Sequence, residues 1–465
     1  MRVLSITAGA ASMYCGSCLR DNNVAAELIR RGHDVTLVPL YTPTITDEPN
    51  VSQRRVLFGG VNIYLQQKSG LFRRLPRFLD RWLDSPALIR TLSDRQVSVD
   101  PRVLGDMTIS MLDGPRGVLR KEFDKLLEWV ADGPAPDVVN LPNSMLIALA
   151  RPIAQALKRP VCCTLQGEEL FLQSLVEPYR TQALEMIRGL VPDVSRFIAV
   201  SDYCASFMSR FLGISPDRIS VVPLGVRLPA TQSQSTSIKA GGAPPPPASY
   251  ADPSLRSGWP QAHPLFTVGY LARVAPEKGL QLLADAYVHL RARTKDIPMA
   301  FEAAGYLAPQ DQPYLAKVRD TLARAGLTSE FTYHGVVELD AKQALLDRID
   351  VLSVPAVYDE PKGLPLLEAM AHGVPVVQPR RGAFVEIVER TGGGILVAPD
   401  DPVALADGLE ALTRDPTQRQ ELGRSGLAGV RAHYTVEHSA DRLLDVYALI
   451  TERGAPPPRE MPFAP

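Results

Sequence analysis

Residues 3–39 read VLSITAGAASMYCGSCLRDNNVAAELIRRGHDVTLVP, and this stretch decides the fold class. Val3–Thr7 is a short apolar run of strand character, and Ala8–Ser17 is a loop of small residues. A helical pattern follows over Leu19–Arg31 and stops at Gly32, after which Asp34–Pro39 reads as a second strand. Strand, glycine-containing loop, helix and strand in that order open a doubly wound α/β domain. The apolar start behind Met1-Arg2 is therefore read as a first strand and not as a leader peptide.

Working outward, Val138–Leu141, Val161–Leu165, Phe197–Val200 and Ile219–Val222 are further buried-strand candidates separated by helical stretches. They predict a parallel sheet that ends near residue 226. The texture then changes: residues 228–262 hold TQSQSTS, Gly241-Gly242 and the tract Pro244–Pro247, with little to bury. A second opening begins at Phe266–Leu271, with loop Ala272–Gly279 and helix Leu280–Leu290. Met299–Ala304, Phe331–His334, Val351–Val354, Val374–Gln378 and Gly394–Val397 continue it as strands. The expected organisation is two Rossmann-like domains, 1–226 and 263–436, facing a central cleft. An insert at 227–262 joins them, a C-terminal helix within 437–452 packs back towards the first domain, and 453–465 is a proline-rich tail.

Composition narrows the function classes. Of 465 residues 45% are apolar and 22% charged, near the average for globular proteins. The 33 glycines and 41 prolines are too few for a low-complexity chain. A net charge of −1 offers no global basic field for nucleic acid. No apolar run reaches the roughly 18 residues of a membrane-spanning helix. Five cysteines are too sparse for a disulfide framework, and Cys15 and Cys18 form a C-x-x-C with no second pair of zinc-like spacing. Cys162 and Cys163 are adjacent in a strand, so they point to opposite faces. Free thiols in a reducing, cytoplasmic setting are the expectation.

The chemistry is concentrated in Glu360-Pro-Lys-Gly-Leu-Pro-Leu-Leu-Glu368, which runs into Ala369-Met-Ala-His-Gly373-Val-Pro-Val-Val377. A strand ends just before it and a helix begins near Leu364, so Glu360 lies in a loop at the strand's C-terminal edge and Glu368 about one turn into the helix. Ligands of open α/β sheets bind at that edge. Gly363 lets backbone approach a ligand, and a carboxylate on the helix can accept hydrogen bonds from a vicinal diol such as a ribose.

This segment resembles the E-x7-E motif of the retaining nucleotide-sugar glycosyltransferases of family 4, which have the GT-B fold. Gly269-Tyr-Leu-Ala-Arg273-Val-Ala-Pro-Glu-Lys278-Gly279 is similar to the family's G-R-x-x-x-x-K-G element, with Ala272 where a glycine is usual. Arg381-Gly382-Ala-Phe-Val-Glu386-Ile-Val388 resembles its G-G-x-x-E-x-V loop with one glycine missing. The resemblance implies a metal-independent enzyme without a resident cofactor, whose co-substrate is a nucleoside-diphosphate sugar. The acceptor is a glycan, a lipid-linked sugar or a small molecule. Arg273 and Lys278 would clamp the diphosphate, Glu360 would hold the donor sugar's hydroxyls, and Glu368 the ribose. Gly16, Gly335, Gly363, Leu364 and Pro365 complete the donor-binding set. Gln166, where many members carry a histidine, would either orient the donor or tie down its own loop. Glu168 and Glu169 beside it are candidate acceptor contacts. No D-x-D metal motif is present. The other readings are an idle sugar-nucleotide-binding subunit of a polysaccharide assembly and a GT-B-fold epimerase. Residues 71–83, LFRRLPRFLDRWL, combine apolar and basic faces. They would suit either an anionic membrane surface, at the inner face of the membrane, or packing on the chain's own domain.

Overall fold

The computed structural model describes residues 1–9, 16–44, 46, 48–53, 56, 101–229 and 265–452. Cys15, the segment 71–83, most of the Pro/Ser-rich insert and the tail lie outside the described residues.

Both halves are parallel sheets wound in two directions. In the first, β1 (Arg2–Thr7), β2 (Asp34–Pro39), β3 (Val138–Leu141), β4 (Val161–Leu165), β5 (Arg196–Ala199) and β6 (Ile219–Val221) take the order β2-β1-β3-β4-β5-β6. In the second, β7 (Phe266–Leu271), β8 (Met299–Ala304), β9 (Phe331–Tyr333), β10 (Val351–Leu352), β11 (Val376–Pro379) and β12 (Gly394–Val397) take the order β12-β11-β10-β7-β8-β9. Every strand pair is parallel. The strand order reverses between β1 and β3 and between β7 and β10. Each reversal opens a crevice beyond the strands' C-terminal ends, because the connections there leave in opposite directions.

The strands are read from sequence to within two residues at each end, since buried parallel strands are continuous apolar runs. β3, β4 and β7 are buried along their whole length. The first helix differs: α1 spans Gly16–Arg30, so Gly16 is its first residue and not a loop residue. The part missed from the sequence is Gly16-Ser-Cys18, small residues that read as loop, while Arg20, Asp21, Asn22 and Asn23 just after it are polar yet buried.

Cys162 and Cys163 do face opposite sides of β4. Cys163 joins the large core, while Cys162 joins a smaller cluster with Val24 and Leu28 of α1. Burial pushes both thiols above their ordinary range. That smaller cluster is completed from the far end of the chain. The last helix, Val436–Glu452, crosses back and lays Leu443, Val446, Tyr447 and Ile450 on it. A parallel bridge pairs Val226 with Thr435, and the Ser439 hydroxyl donates to the Pro223 carbonyl at 2.6 Å. The chain thus passes between its two halves twice. Among the described residues, no helix is long and apolar enough to cross a membrane.

Candidate active site

The loops after β7 and β10 flank the second switch point and carry the cations and carboxylates picked out in the sequence. After β7 a single 3-10 turn, Pro276–Lys278, is closed by Gly279 at φ +75°. A Cβ at Gly279 would lie 1.9 Å from the Pro355 carbonyl oxygen, so the two loops touch through bare backbone. This contact sets Lys278 opposite Glu360.

Glu360 is 5% exposed and is the centre of the cluster. One carboxylate oxygen accepts from both the Lys278 ammonium and the Tyr358 hydroxyl. Lys278 Nζ also donates to Tyr358 Oη at 2.7 Å and lies 5.0 Å from the centre of that ring. The other oxygen accepts from the Lys362 backbone N–H at 3.3 Å. Burial would raise the Glu360 pKa, but the charges of Lys278 and Lys362 and the bonds from Lys278 and Tyr358 outweigh it and hold the group ionised below its ordinary value. Tyr358 moves the other way, kept neutral by burial and by the adjacent Glu360 charge.

The helix Leu364–Ala371 starts where the sequence places it, with Gly363 as its N-cap at φ +80°. The positive φ favours glycine, and a Cβ there would also push on the end of the Ile387 side chain, 2.5 Å away. Leu364 and Pro365 form the first turn, and Glu368 follows on the same short helix. Glu368 is engaged by Lys342 Nζ at 2.7 Å. Arg273 pairs with Glu277 and is more open than Lys278. Gly335 follows β9, and its carbonyl accepts from the Gly305 N–H at 2.8 Å.

From the first domain, β4 ends in Gln166-Gly-Glu-Glu169, which faces this cluster. The Gln166 amide donates to the Pro142 carbonyl at 2.9 Å, whereas its side-chain oxygen is buried without a partner. Half of this side chain therefore ties down the loop and half is unspent. Glu168 is not available as an acceptor contact. Its carboxylate accepts from Ser144 N–H and Oγ, both at 2.9 Å, and from Gln166 N–H at 2.8 Å. It joins the loops after β3 and β4. Glu169 is 6% exposed, and one of its oxygens has no partner.

The two halves meet across this cleft. Lys362 Nζ donates to Ser17 Oγ in α1 at 3.0 Å, next to Gly16. The Ser201 hydroxyl donates to the Pro361 carbonyl at 2.8 Å. On one flank, Glu386 of the helix Gly382–Thr391 accepts the backbone N–H groups of Asp202 and Tyr203 at 3.1 and 2.9 Å. These groups open the helix Asp202–Leu212, and Arg390 pairs with Asp202 at 3.0 Å.

Sequence reasoning missed Tyr358, Lys342, Lys362 and Glu277 as partners of the groups it chose. Lys362 stood inside the motif, and its charge was the available signal. Lys342 lies 26 residues before Glu368 with no local mark of their pairing.

Comparison with known proteins agrees with this architecture. Residues 255–428 match the model of glycosyl transferases group 1, and residues 21–225 match that of the glycosyl transferase 4-like domain. Sucrose-phosphate synthase from Thermosynechococcus elongatus superposes with a TM-score of 0.66 at 16% identity, over 98% of this chain and 100% of that one. Anabaena HepE in complex with UDP and glucose gives 0.61 at 16% identity, covering 96% and 99%. These likenesses define a GT-B fold. Each half thus resembles a glycosyltransferase family model, and the architecture is that of the GT-B fold. Among curated relatives, a D-inositol 3-phosphate glycosyltransferase of Xylanimonas cellulosilytica is 31% identical over 252 residues, 54% of this chain and 55% of its own. A phosphatidyl-myo-inositol mannosyltransferase of Mycobacterium leprae is 30% identical over 190 residues, 41% of this chain and 48% of its own. The chain spans about half the length of the curated relatives it matches.

Proposed function

We propose that the protein is a retaining, metal-independent glycosyltransferase that moves a sugar from a nucleoside-diphosphate donor to a hydroxyl acceptor. The observation that carries this reading is the convergence of Lys278, Glu360 and Tyr358 at the second switch point, with Arg273 beside them. Charge grows on a departing diphosphate, and cations already fixed in a partly dry crevice stabilise that growth without reorganising. Lys278 provides a point charge and Arg273 a fork. Lys278 pairs with Glu360 and Arg273 with Glu277, so a diphosphate would displace carboxylates to reach the two cations. Glu360, freed of Lys278, would accept hydrogen bonds from the donor sugar. Glu368, held upright by Lys342, would take the ribose diol. Gly16, Gln166, Gly335, Gly363, Leu364 and Pro365 would line the donor pocket. Attack would come on the same face as departure through an oxocarbenium-like state, with the leaving phosphate receiving the acceptor's proton.

The acceptor is a polyhydroxyl compound, free or lipid-linked, bound from the first domain; two of the curated relatives carry inositol-based acceptors in their names. The reaction is placed in the cytoplasm, where sugar nucleotides are made. Thermal-shift titration with UDP, GDP and ADP, followed by release assays on the matching sugar nucleotides, tests the reading. A ligand at 100 times its Kd stabilises by about 2.7 kcal/mol. One nucleotide should shift the midpoint and its sugar conjugate should be slowly hydrolysed. No shift with any of the three and no turnover would overturn it. Binding without turnover would point to an idle binding subunit, and conversion of the sugar without release would point to an epimerase.

A further inference from the structure

Glu169 and Lys362 come from different domains and face each other across the cleft. Glu169 follows β4, and Lys362 sits in the loop before Gly363. Glu169 feels the Lys362 charge, yet no hydrogen bond or ion pair joins them; Lys362 Nζ donates to Ser17 Oγ at 3.0 Å instead. The Glu169 carboxyl is 6% exposed and one of its oxygens is unpartnered. Leaving a buried polar atom unsatisfied is costly, so its retention beside a candidate substrate cleft calls for a partner that the protein's own side chains do not supply. The neighbouring Glu168 shows the contrast, since both its oxygens accept hydrogen bonds within the first domain.

A carboxyl and an ammonium held apart in this way fit one kind of group. A hydroxyl is at once a donor and an acceptor, so it can donate to the carboxylate and accept from the ammonium. With Glu169 ionised, a fully ionised phosphate could accept from the ammonium but not donate to the carboxylate, and an apolar group would satisfy neither. We propose that Glu169 and Lys362 together hold one sugar-type hydroxyl across the cleft and thereby couple substrate binding to the meeting of the two domains. The inference rests on the glycosyltransferase reading above and deepens it. The hydroxyl belongs either to the donor sugar or to the acceptor, and the experiment separates these.

Burial, and then the Glu168 charge, push the Glu169 pKa up to about 7, while Lys362 opposes them. The groups facing it are Glu168 on its own loop, Glu360, Lys362 and Tyr358 from the second domain, and Tyr203 and Cys204 from the helix Asp202–Leu212. The contact is therefore expected to change with pH near neutrality, because an ionised carboxylate accepts whereas the protonated acid donates.

The test uses the full chain with Glu169→Gln, Lys362→Met and the conservative Lys362→Arg. Calorimetry compares UDP, GDP and ADP with UDP-glucose, GDP-mannose and ADP-glucose, and sugar release is followed from pH 5.5 to about 8.5. If the hydroxyl is the donor's, Glu169→Gln and Lys362→Met leave nucleoside-diphosphate affinity within about twofold and reduce the extra affinity of the sugar conjugate about tenfold. If it is the acceptor's, both affinities and the slow acceptor-free hydrolysis stay, and the extra sugar release given by added polyols such as myo-inositol falls about tenfold, with its limb near neutrality absent in Glu169→Gln. Lys362→Arg retains part of either effect. Unchanged affinities, rates and pH profile, or equal losses for nucleotide and sugar nucleotide, would overturn the inference while leaving the function standing. No nucleotide binding and no turnover in the wild type would overturn the function, and the inference with it.

Discussion

Lys278→Met removes the cation from a carboxylate that is almost wholly out of water. The Glu360 side chain is 7% exposed and that of Lys278 20%. Breaking a buried pair by removing one partner costs about 3–5 kcal/mol, because the remaining charge is stranded. Here the Tyr358 hydroxyl and the Lys362 N–H stay in place, and the Lys362 charge still lowers the Glu360 pKa, so the lower end, about 3 kcal/mol at neutral pH, is expected. The sign with pH follows from the direction of the shift. The Glu360 pKa is depressed below its ordinary 4.5, so its ionisation stabilises the fold above that value, and this is lost as pH falls through the folded-state pKa. Without Lys278 the folded-state pKa rises, so the variant is worst near pH 7 and approaches the wild type in acid. Lys278→Met/Glu360→Gln should recover most of the loss, since a neutral amide tolerates the site and still bonds to Tyr358. The assay is a urea-unfolding double-mutant cycle at about pH 7 and pH 5, following the second domain's transition. A Lys278→Met loss under about 1 kcal/mol, or one that Glu360→Gln does not relieve, would refute the argument that the pair is buried and coupled.

Glu169→Gln should gain stability over the wild type as pH rises. A folded-state pKa of about 7 against an ordinary 4.5 favours the folded wild type below pH 4.5, and that advantage is lost as pH rises through 7. The variant's relative gain approaches about 3 kcal/mol by pH 8, read by urea unfolding across that range; a flat difference would contradict the burial of the carboxyl. Gly279→Ala drives a methyl into the Pro355 carbonyl oxygen at a positive φ, so sugar-nucleotide turnover should fall more than tenfold even where the fold survives by circular dichroism. Full turnover would show that the loop contact does not position Lys278. Glu386→Ala strips the acceptors from two N–H groups at the start of the helix Asp202–Leu212, which loosens the halves and enlarges the radius of gyration in small-angle scattering. An unchanged radius with unchanged protease resistance would remove this contact from domain closure.

What the sequence by itself determined is local. Apolar runs of four to six residues, each followed by a loop and a helical period, announce the parallel strands, because both faces of such a strand are covered. The Glu360–Glu368 segment declared its loop and the start of its helix near Leu364, since these depend on neighbours along the chain. Tertiary structure decided which charges meet. Parallel winding brings every β-to-α loop of a sheet to one edge, so Lys278 reaches Glu360 across 82 residues and Ser144 reaches Glu168 across 24. Glu168 and Glu169 are identical and adjacent in the sequence, and only the fold tells them apart. One points into the loop after β3 and accepts hydrogen bonds on both oxygens, while the other points towards a second domain that the sequence alone does not position. Side-chain partners depend on where rigid elements place their ends in space, and spacing along the chain carries no record of that.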